Sequence, residues 1–274
     1  MFYMVEFKVE KSTKLSRAVL ENVKEISYSV IMKLLRKKDI KVNDKRVTED
    51  IILLANDKVQ VYYVAEKISH FTTIYQDQNV VVIDKKSGYT SEEIFNEIKG
   101  VFSTAFFIHR LDRNTSGLMV FALNEQAEKE LLLAFKKHSL EKIYLAEVKG
   151  KMLKKQAVLQ AYLLKHSQDS RVEIFNNKVN NSVKIITEYS VIEEKENTSV
   201  LQVKLHTGKT HQIRAHLAHI GNPIVGDGKY GDSTFNKLRK EKYQKLKAVK
   251  LTLKFSEESL LNYLNNKVFE SKGF

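Results

Sequence analysis

The sequence predicts an α+β fold with a largely antiparallel sheet, preceded by a small separate domain. The chain has 274 residues, which at roughly 150 residues per domain suits one large and one small domain. In the second half of the chain, strand-like segments outnumber helical ones and follow one another directly, unlike the alternation of a parallel βαβ sheet. With 43% apolar and 29% charged residues, the chain can bury a core.

The first 66 residues predict a compact domain that begins with two helices. Leu15, Ala18 and Val19 recur with helical spacing and mark the buried face of the first helix. Ser27 can cap the second helix. One face of that helix is formed by Val30, Ile31, Leu34 and Leu35. Basic side chains surround it and make it a candidate binding surface for an anionic partner; they are Lys33, Arg36, Lys37, Lys38 and Lys41.

A small sheet completes this domain. Residues 40–47 alternate apolar and polar around Asn43-Asp44, which is typical of a hairpin. The segment 54–64 adds a second Asn-Asp turn and a closing strand. Residues 67–73 are then expected to link the two domains.

The larger domain is predicted to span residues 74–256. Its helices are expected over residues 91–98, 124–138 and 209–220. The helix 124–138 is amphipathic, with an inward face of Ala127, Leu131, Ala134 and Phe135. Strands are expected over residues 79–85, 117–123, 142–149, 157–164, 184–192, 199–206 and 249–255. Residues 257–274 are expected as a C-terminal tail, with a short helix over Ser256–Asn266.

The formal net charge of +13 points to a polyanionic partner. Basic residues are concentrated in two stretches, Lys229–Lys254 with nine against two acidic residues and Lys33–Arg46 with seven against two. Clustered basic side chains fit a surface that follows phosphates. Neither stretch is a clean amphipathic helix with aromatic anchors, so the charge favours nucleic acid over a membrane surface.

Several classes of protein are excluded by what the sequence lacks. It has no cysteine, which rules out disulfides, thiolate metal sites and thiol nucleophiles. Its apolar runs are too short to cross a bilayer, and its first residues offer no signal-peptide pattern. We therefore expect a soluble, cytoplasmic protein that does not associate with membranes.

Two local patterns suggest sites that the spacing does not support. Thr207–Thr210 resembles half of a phosphate-binding P-loop, but the required glycine five residues before Gly208 is Val203. Four histidines fall within fourteen residues, and they are His206, His211, His216 and His219. Because His211 and His216 are five apart rather than four, hydrogen-bonded structural or RNA-facing roles are favoured. Metal binding remains the weaker alternative, and no metal ligand is assigned.

The stretch 108–121 is the strongest candidate for an active site. Asp112 lies between Arg110 and Arg113, and apolar residues flank the polar cluster on both sides. Such flanks suggest partial burial, and a buried carboxylate needs charged or hydrogen-bonding partners. Asp112 is therefore a candidate nucleophile or base, kept ionised by neighbouring guanidinium groups. An equally simple explanation of this pattern is that Asp112 has a structural role, in which it caps a turn and pairs with an arginine.

Three blocks of sequence resemble a known family. His109–Gly117, His-Arg-Leu-Asp-Arg-Asn-Thr-Ser-Gly, resembles the signature of RluA-class pseudouridine synthases. Glu141–Gly150 is similar to the family's Lys-x-Tyr strand, and Leu205–Asp227 to its arginine-bearing block. The N-terminal domain resembles the small RNA-binding domain of the ribosomal-protein-S-four type, known as the αL motif. Together these resemblances cover residues 12–255.

The resemblance implies the pseudouridine synthase fold, a mainly antiparallel mixed sheet flanked by helices and loops. It also implies an isomerase that detaches uracil from ribose, turns it and rejoins it through carbon 5, with no cofactor and no metal. Asp112 matches the catalytic aspartate, which attacks the sugar or removes its C2′ proton. Arg214 matches the arginine that pairs with it, and Tyr144 the tyrosine lying against the base. Arg110 matches a residue that holds the flipped nucleotide, and Ile213 a wall of the base pocket.

The substrate implied by the resemblance is large-subunit ribosomal RNA. Gly226–Asp232, with the basic segment behind it, is most similar to the RluC-like members that modify this RNA. Transfer RNA remains an alternative substrate, and so does a non-catalytic role in RNA binding or ribosome assembly. A metal-dependent nuclease using the histidines is a further rival. The enzyme is expected to act as a monomer.

The sequence departs from the family pattern at a few positions. Asp44 and Asn56 replace usual glycines in the N-terminal domain, but Asn and Asp tolerate positive φ better than other residues with a side chain. Lys86 stands where proline often follows Lys85, and Asn222 where a histidine often precedes proline. None of these changes affects Asp112, Tyr144 or Arg214.

Overall fold

The structure, a computed structural model, describes residues 2–23, 26, 28–64, 69–137, 139–166 and 171–274. The chain divides between Ser69 and His70 into a smaller N-terminal unit and a larger C-terminal unit. Residues 71–73 of the expected linker belong to a strand of the larger unit, because they pair with the strand that follows. Residues 67 and 68 lie outside the described residues.

The described residues of the smaller unit form two helices and several strands. These elements are β1 (Phe2–Lys8), β2 (Thr13–Lys14), α1 (Leu15–Asn22), α2 (Tyr28–Lys37), β3 (Ile40–Val42), β4 (Lys45–Arg46), β5 (Ile52–Leu53) and β6 (Lys58–Val64). Four strands form a sheet in the order β1-β6-β3-β4, and β2 pairs with β5. The predicted helix faces are confirmed, since Leu15, Val19 and Ile31 are fully buried. The predicted cap Ser27 lies outside the described residues.

Asparagine and aspartate form the turns of this unit. Asn43 and Asp44 join β3 to β4 with φ values of 48° and 64°, and a two-residue turn with positive φ at both positions suits the twist of a hairpin. Asn56 has a φ of 71°. The predicted hairpin is thus confirmed, and both residues that replace family glycines adopt the left-handed conformation.

The larger unit contains the remaining elements. Its helices are α3 (Ser91–Lys99), α4 (Glu125–Lys136), α5 (Gln212–His219), α6 (Ser233–Leu238) and a 3-10 turn over Asn262–Leu264. Its strands are β7 (Phe71–Gln76), β8 (Val80–Lys85), β9 (Phe106–Phe107), β10 (Ser116–Ala122), β11 (Leu140–Lys149), β12 (Gln156–Lys165), β13 (Val172–Phe175), β14 (Val183–Glu194), β15 (Thr198–Leu205), β16 (Leu246–Leu253) and β17 (Val268–Glu270).

These strands form one mixed sheet. Nine of them follow the order β13-β12-β14-β15-β11-β16-β10-β8-β7, while β17 pairs with β16 and β9 with β10. Among the described strand pairs, β10 and β16 alone run parallel. The predicted α+β class with a mostly antiparallel sheet is confirmed.

Strands β8 and β10 are buried on both faces. On one face, Val81 and Ile83 of β8 pack with Ile94 and Ile98 of α3. On the other, Val80 packs in a cluster that includes Leu131 of α4. Both helices begin with side-chain caps, a capping box of Thr90 with Glu93 for α3 and the Asn124 side chain for α4. This packing fixes the strand that follows the 108–115 loop.

The C-terminal segment differs from its prediction. The expected helix over Ser256–Asn266 is wrong, since this segment contains only the 3-10 turn, and β17 then pairs with β16. Leu261, Leu264 and Phe269 are buried against the sheet, and Asn266 has a φ of 60°, which a helix cannot accommodate. Strands β7, β9 and β13 and the helix α6 were not predicted. In the described part of the chain, no helix combines the length and apolarity needed to traverse a bilayer.

Candidate active site

The loop of residues 108–115, between β9 and β10, is held by hydrogen bonds at several points. His109 Nε2 accepts a bond of 3.1 Å from the Val120 amide of β10. The Ser91 hydroxyl, at the start of α3, accepts from the Leu111 amide and donates to the Leu111 carbonyl, both at 2.9 Å. Burial lowers the pKa of His109 to about 3, so this imidazole is neutral and serves as an acceptor. The residues on both sides of Arg110 are therefore fixed.

A buried lysine holds the far side of the same loop. Lys85, at the end of β8, has no exposed surface. Its Nζ donates to the carbonyls of Arg113, Tyr89 and Lys86 at 3.0, 2.8 and 3.1 Å. Burial lowers the pKa of Lys85 to about 8, although the negative charge of Asp112 opposes this. The Lys85 ammonium thus holds in place the residue that follows Asp112.

Asp112, Arg214 and Asp227 form a chain of ion pairs. Arg214 lies in the first turn of α5, and its Nη1 donates to Asp112 Oδ2 at 2.8 Å. Its other edge meets Asp227, with Nε to Oδ2 at 2.7 Å and Nη2 to Oδ1 at 3.0 Å. Asp227 Oδ1 also accepts the Lys229 and Tyr230 amides. The guanidinium is therefore held by a two-point contact on one side and presents one N–H to Asp112 on the other.

The charges of this array are maintained although most of it is buried. Burial alone would lower the pKa of Arg214, but the hydrogen bonds and charges of Asp227 and Asp112 outweigh it and raise that pKa. Burial would likewise raise the pKa of Asp227, but the hydrogen bond and charge of Arg214 keep it below its ordinary value. Arg214 stays a cation shared between two carboxylates.

Tyr144 lies on β11, where its side chain is 7% exposed and borders the same cavity as Asp112. Burial, together with the charge of Asp112, raises the pKa of the Tyr144 phenol. The phenol therefore stays protonated and offers a flat, mainly apolar ring.

These side chains enclose a cavity of about 190 Å³. Its lining combines polar and charged residues, Asp112 among them, with apolar side chains, which are Leu111, Tyr144, Leu205, Ile213 and Leu246. Ile213 is 4% exposed, as a wall residue should be. Arg110 also borders the cavity, but its side chain is 70% exposed and lies 3.5 Å from Glu92. The sequence-predicted residues Asp112, Tyr144, Arg214, Arg110 and Ile213 are thus brought together.

The histidines of the 206–219 stretch have separate partners. His206 contacts Glu188, His216 contacts Thr187, and His219 contacts Asn176. His211, with a φ of 54°, contacts the Tyr230 hydroxyl at 3.0 Å, and its Nε2 lies 3.9 Å from Asp112 Oδ1. No three metal-ligating side chains converge among the residues described. The alternative of a histidine metal site therefore finds no support in this geometry.

The basic residues predicted to bind RNA lie in the smaller unit. Lys33, Arg36 and Lys37 of α2 are exposed, and so is Lys38, which follows the helix. Lys41 is partly buried, with its Nζ 5.4 Å from the centre of the Tyr62 ring. Four of the five cations are therefore open to solvent.

Two residues of the site were missed by sequence reasoning. Asp227 follows Gly226 in the arginine-bearing block, thirteen residues after Arg214. At this separation, no local sequence pattern indicates that the two side chains are in contact. Lys85 follows the apolar run Val80–Ile83 of β8 after one acidic residue, and its position in that strand could have suggested burial. The sequence alone could not show which carbonyls its ammonium would meet.

The sequence is similar to those of several RNA pseudouridine synthases. The sequence profile described as RNA pseudouridylate synthase matches residues 79–219. An uncharacterised RNA pseudouridine synthase of Aquifex aeolicus is 31% identical over 256 residues, covering 83% of this chain and 80% of its own. One from Mycoplasma capricolum is 30% identical, with 97% and 96% covered. Ribosomal large subunit pseudouridine synthase C of Vibrio parahaemolyticus is 28% identical, with 78% and 75% covered.

Solved structures show the same fold. The human RNA pseudouridylate synthase domain containing 1 superposes with a TM-score of 0.63 at 23% identity, over 75% of this chain and 91% of its own. The human domain containing 4 gives 0.59 at 22% identity, over 74% and 88%.

Proposed function

Since this chain belongs to the RNA pseudouridylate synthase family, and so is an isomerase acting on RNA, we propose that it converts uridine to pseudouridine in large-subunit ribosomal RNA, with Asp112 as the catalytic residue. The observation that carries this proposal is the Asp112 carboxylate, which Arg214 holds beside a cavity that Tyr144 and Ile213 also line. Among the described residues, only Arg214 hydrogen bonds to this carboxylate, and it does so through Oδ2. Oδ1 is left for a substrate.

The cavity suits a base that has been turned out of its strand. In the reaction, the bond between uracil N1 and ribose C1′ breaks, and a bond between C5 and C1′ forms. The proton on C5 is lost and N1 gains one, so nothing is oxidised or reduced. Extruding the nucleotide costs a few kcal/mol. Stacking on the protonated Tyr144 ring and burial against Ile213 offset part of this cost.

Asp112 can take part in either of two ways. Its carboxylate can add to the sugar as N1 departs, or it can remove the C2′ proton and return it later. Both require an oxygen that does not already accept a hydrogen bond, and Asp112 Oδ1 meets this requirement. Arg214 fixes the orientation of the carboxylate, and Asp227 fixes that of Arg214.

The RNA class is supported by charge and by the relatives. Relatives named ribosomal large subunit pseudouridine synthase C align over about three quarters of this chain. The net charge of +13 and the exposed cations of α2 favour a long, structured polyanion. We propose that residues 1–66 are an RNA-binding domain of the αL type and that residues 74–256 carry the chemistry.

Mapping pseudouridines with and without the protein tests this proposal. Ribosomal and transfer RNA are sequenced from cells that lack the gene and from the same cells given the wild-type or the Asp112→Asn protein. We expect specific ribosomal pseudouridines to disappear, to return with the wild type and to stay absent with Asp112→Asn. In vitro, this substitution should lower turnover at least about a thousandfold, because the reacting oxygen is replaced. RNA affinity should stay within a few-fold.

A matched substitution separates the chemistry from a general loss of charge. Glu196→Gln removes one carboxylate from the exposed turn between β14 and β15 and should retain full turnover. Full activity of Asp112→Asn would refute the catalytic assignment. Loss of pseudouridine from transfer RNA alone would refute the ribosomal substrate and leave the reaction in place.

A further inference from the structure

A second cavity adjoins the one that contains Asp112. It has a volume of about 320 Å³ and is lined by Leu140, Glu141, Lys204 and Lys254, among others. Lys142 and Leu205 line both cavities. Lys142 lies two residues before Tyr144 on β11, so both side chains project from the same face of that strand. The Lys142 side chain therefore stands between the base pocket and its neighbour.

The ammonium group of Lys142 has no counter-ion in the part of the chain that the structure describes. Among the described residues, no carboxylate lies within 4.0 Å of its Nζ, and burial lowers its pKa with no acidic group opposing the shift. Its Nζ lies 5.2 Å from the centre of the Phe135 ring, and this ring is stacked on His109 of the 108–115 loop. Partial burial of an unpaired cation is costly, and an anionic ligand would offset that cost.

The backbone of Gly208 lies beside this ammonium and carries no side chain. A Cβ placed on Gly208 would lie 3.5 Å from Lys142 Nζ, so this loop runs beside the ammonium and the glycine keeps a side chain out of the space between them. Gly208 and Lys209 also line the base pocket. An anion bound to Lys142 would thus lie at the rim of the pocket that holds the base.

The second cavity has an excess of positive charge. Its one acidic lining residue, Glu141, is paired with Lys204 at 2.8 Å. His206 is paired with Glu188 at 2.7 Å. Lys142 and Lys254 remain without a salt bridge among the described residues. Two ammonium groups around one cavity fit two successive phosphates of a phosphodiester chain better than they fit one isolated small anion.

We propose that the second cavity binds the nucleotide next to the target uridine, and that Lys142 binds the phosphate joining the two. This inference rests on the proposed function, since it assigns the flanking part of the same RNA. A nucleotide turned out of its strand must rotate about its backbone. The Lys142 ammonium, where the two cavities meet, holds one of the flanking phosphates during this rotation. Lys254 then contacts the strand beyond it.

The test uses the full-length protein and a synthetic RNA that contains a mapped target uridine. Each phosphate flanking this uridine is replaced in turn by a neutral methylphosphonate. Lys142→Met removes the charge and keeps an apolar side chain against Phe135. We expect it to weaken RNA binding about tenfold and to lower the salt dependence of binding, log Kd against log salt, by about 0.7. One methylphosphonate should weaken wild-type binding equally and leave Lys142→Met binding unchanged.

The control is Lys195→Met. Lys195 is exposed and precedes β15, at the opposite end of that strand from Leu205, and its replacement should leave affinity and salt dependence unchanged. Either of two results would overturn the subsite. The first is wild-type RNA affinity for Lys142→Met. The second is a loss of affinity that, for every methylphosphonate, adds in full to the loss caused by Lys142→Met, because groups in contact do not act independently. These binding measurements do not depend on turnover of the RNA, so they test the subsite separately from the reaction. Absence of pseudouridine with the wild-type protein would instead contradict the proposed function.

Discussion

A single guanidinium serves two carboxylates in this site, and this division determines the position of Asp112. Arg214 gives two of its N–H groups to Asp227 and one to Asp112. The two-point contact leaves the guanidinium little freedom to rotate. Asp227 is fully buried and also accepts two backbone amides, so it is fixed to the turn after α5. Asp112 is thus oriented through two successive contacts.

This arrangement predicts the effect of Asp227→Asn. The amide can accept only one of the two bonds from Arg214, so the guanidinium loses both its paired charge and its fixed plane. We expect the single-turnover rate at saturating RNA to fall at least tenfold, with RNA affinity unchanged. Breaking a buried ion pair typically costs about 3–5 kcal/mol, which should lower Tm by on the order of 10 °C. Rapid quench with pseudouridine detection and thermal unfolding measure the two effects.

Asp232→Asn is the matched control. Asp232 caps α6 and pairs with Lys149, away from the residues that line the cavity. This substitution should lower Tm far less than Asp227→Asn does, because asparagine also caps a helix and a solvent-accessible ion pair adds little stability, and it should leave the rate unchanged. A wild-type rate for Asp227→Asn, together with a lower Tm, would show that Asp227 stabilises the fold without positioning Arg214.

The predicted site residues converge in the structure, but the contacts between them were only partly predictable. Motif spacing led to Asp112, Tyr144 and Arg214 because each lies in a distinctive block of sequence. Asp227 and Lys85 act through buried contacts that depend on how β8, β10 and α5 pack. No local pattern encodes a contact across 102 residues, such as that between Arg214 and Asp112, and there the family resemblance supplied what spacing could not.

At the scale of elements, β10 and β16 require a glycine at one point. Gly117, the second residue of β10, pairs with Ala248 in the one parallel pairing among the described strands. Its φ is 113°, and a Cβ there would lie 2.2 Å from the Ala248 carbonyl oxygen. A side chain is therefore excluded by the close approach and disfavoured by the dihedral angle. This explains why the 109–117 motif ends in glycine.

Gly117→Ala should therefore destabilise the larger unit strongly. The strands must separate to admit the methyl group, and we expect a loss of at least about 3 kcal/mol in the free energy of unfolding. Urea unfolding followed by circular dichroism measures this loss. Gly228→Ala is the control, because a Cβ at Gly228 would meet nothing within 4 Å. Equal stability of the two variants would contradict the account of the motif glycine.

The elements that the sequence predicted are those with strong local signals. The continuous apolar run of β8, the amphipathic α4 and the Asn43-Asp44 hairpin carry their own patterns. Strand β13 has four residues, with charged Glu173 exposed between two buried ones, and it exists because it pairs with β12. Residues Val268–Glu270 at the C-terminal end form a strand for a similar reason, since they pair with β16. Local propensity cannot show such pairings.

At the scale of the whole molecule, charge is divided between two separate units. The smaller unit has a group of exposed cations on and directly after α2, which are Lys33, Arg36, Lys37 and Lys38. The larger unit combines the Asp112 cavity with Lys142 and Lys254. The proposed function implies a division of labour, in which the smaller unit contributes RNA affinity and the larger unit contributes the chemistry.

This division predicts the effect of replacing Lys33, Arg36 and Lys37 together by glutamine. These side chains are exposed on α2, so folding should be unaffected. RNA affinity should fall about tenfold or more, and the slope of log Kd against log salt should decrease by about 2 as phosphate contacts are lost. The single-turnover rate at saturating RNA should stay within twofold, because no residue of the Asp112 cavity changes. Filter binding at several salt concentrations and rapid quench measure these quantities.

The triple replacement of Lys11, Lys14 and Arg17 by glutamine removes the same charge from another exposed part of the smaller unit. If only the total charge mattered, both triple variants would lose affinity equally, since long-range attraction to a polyanion depends on net charge. Local contacts at α2 predict that the first variant loses far more affinity than the second. Equal losses would assign the binding to net charge and refute a specific α2 surface. A lower rate at saturating RNA would show that α2 also helps to present the uridine to Asp112.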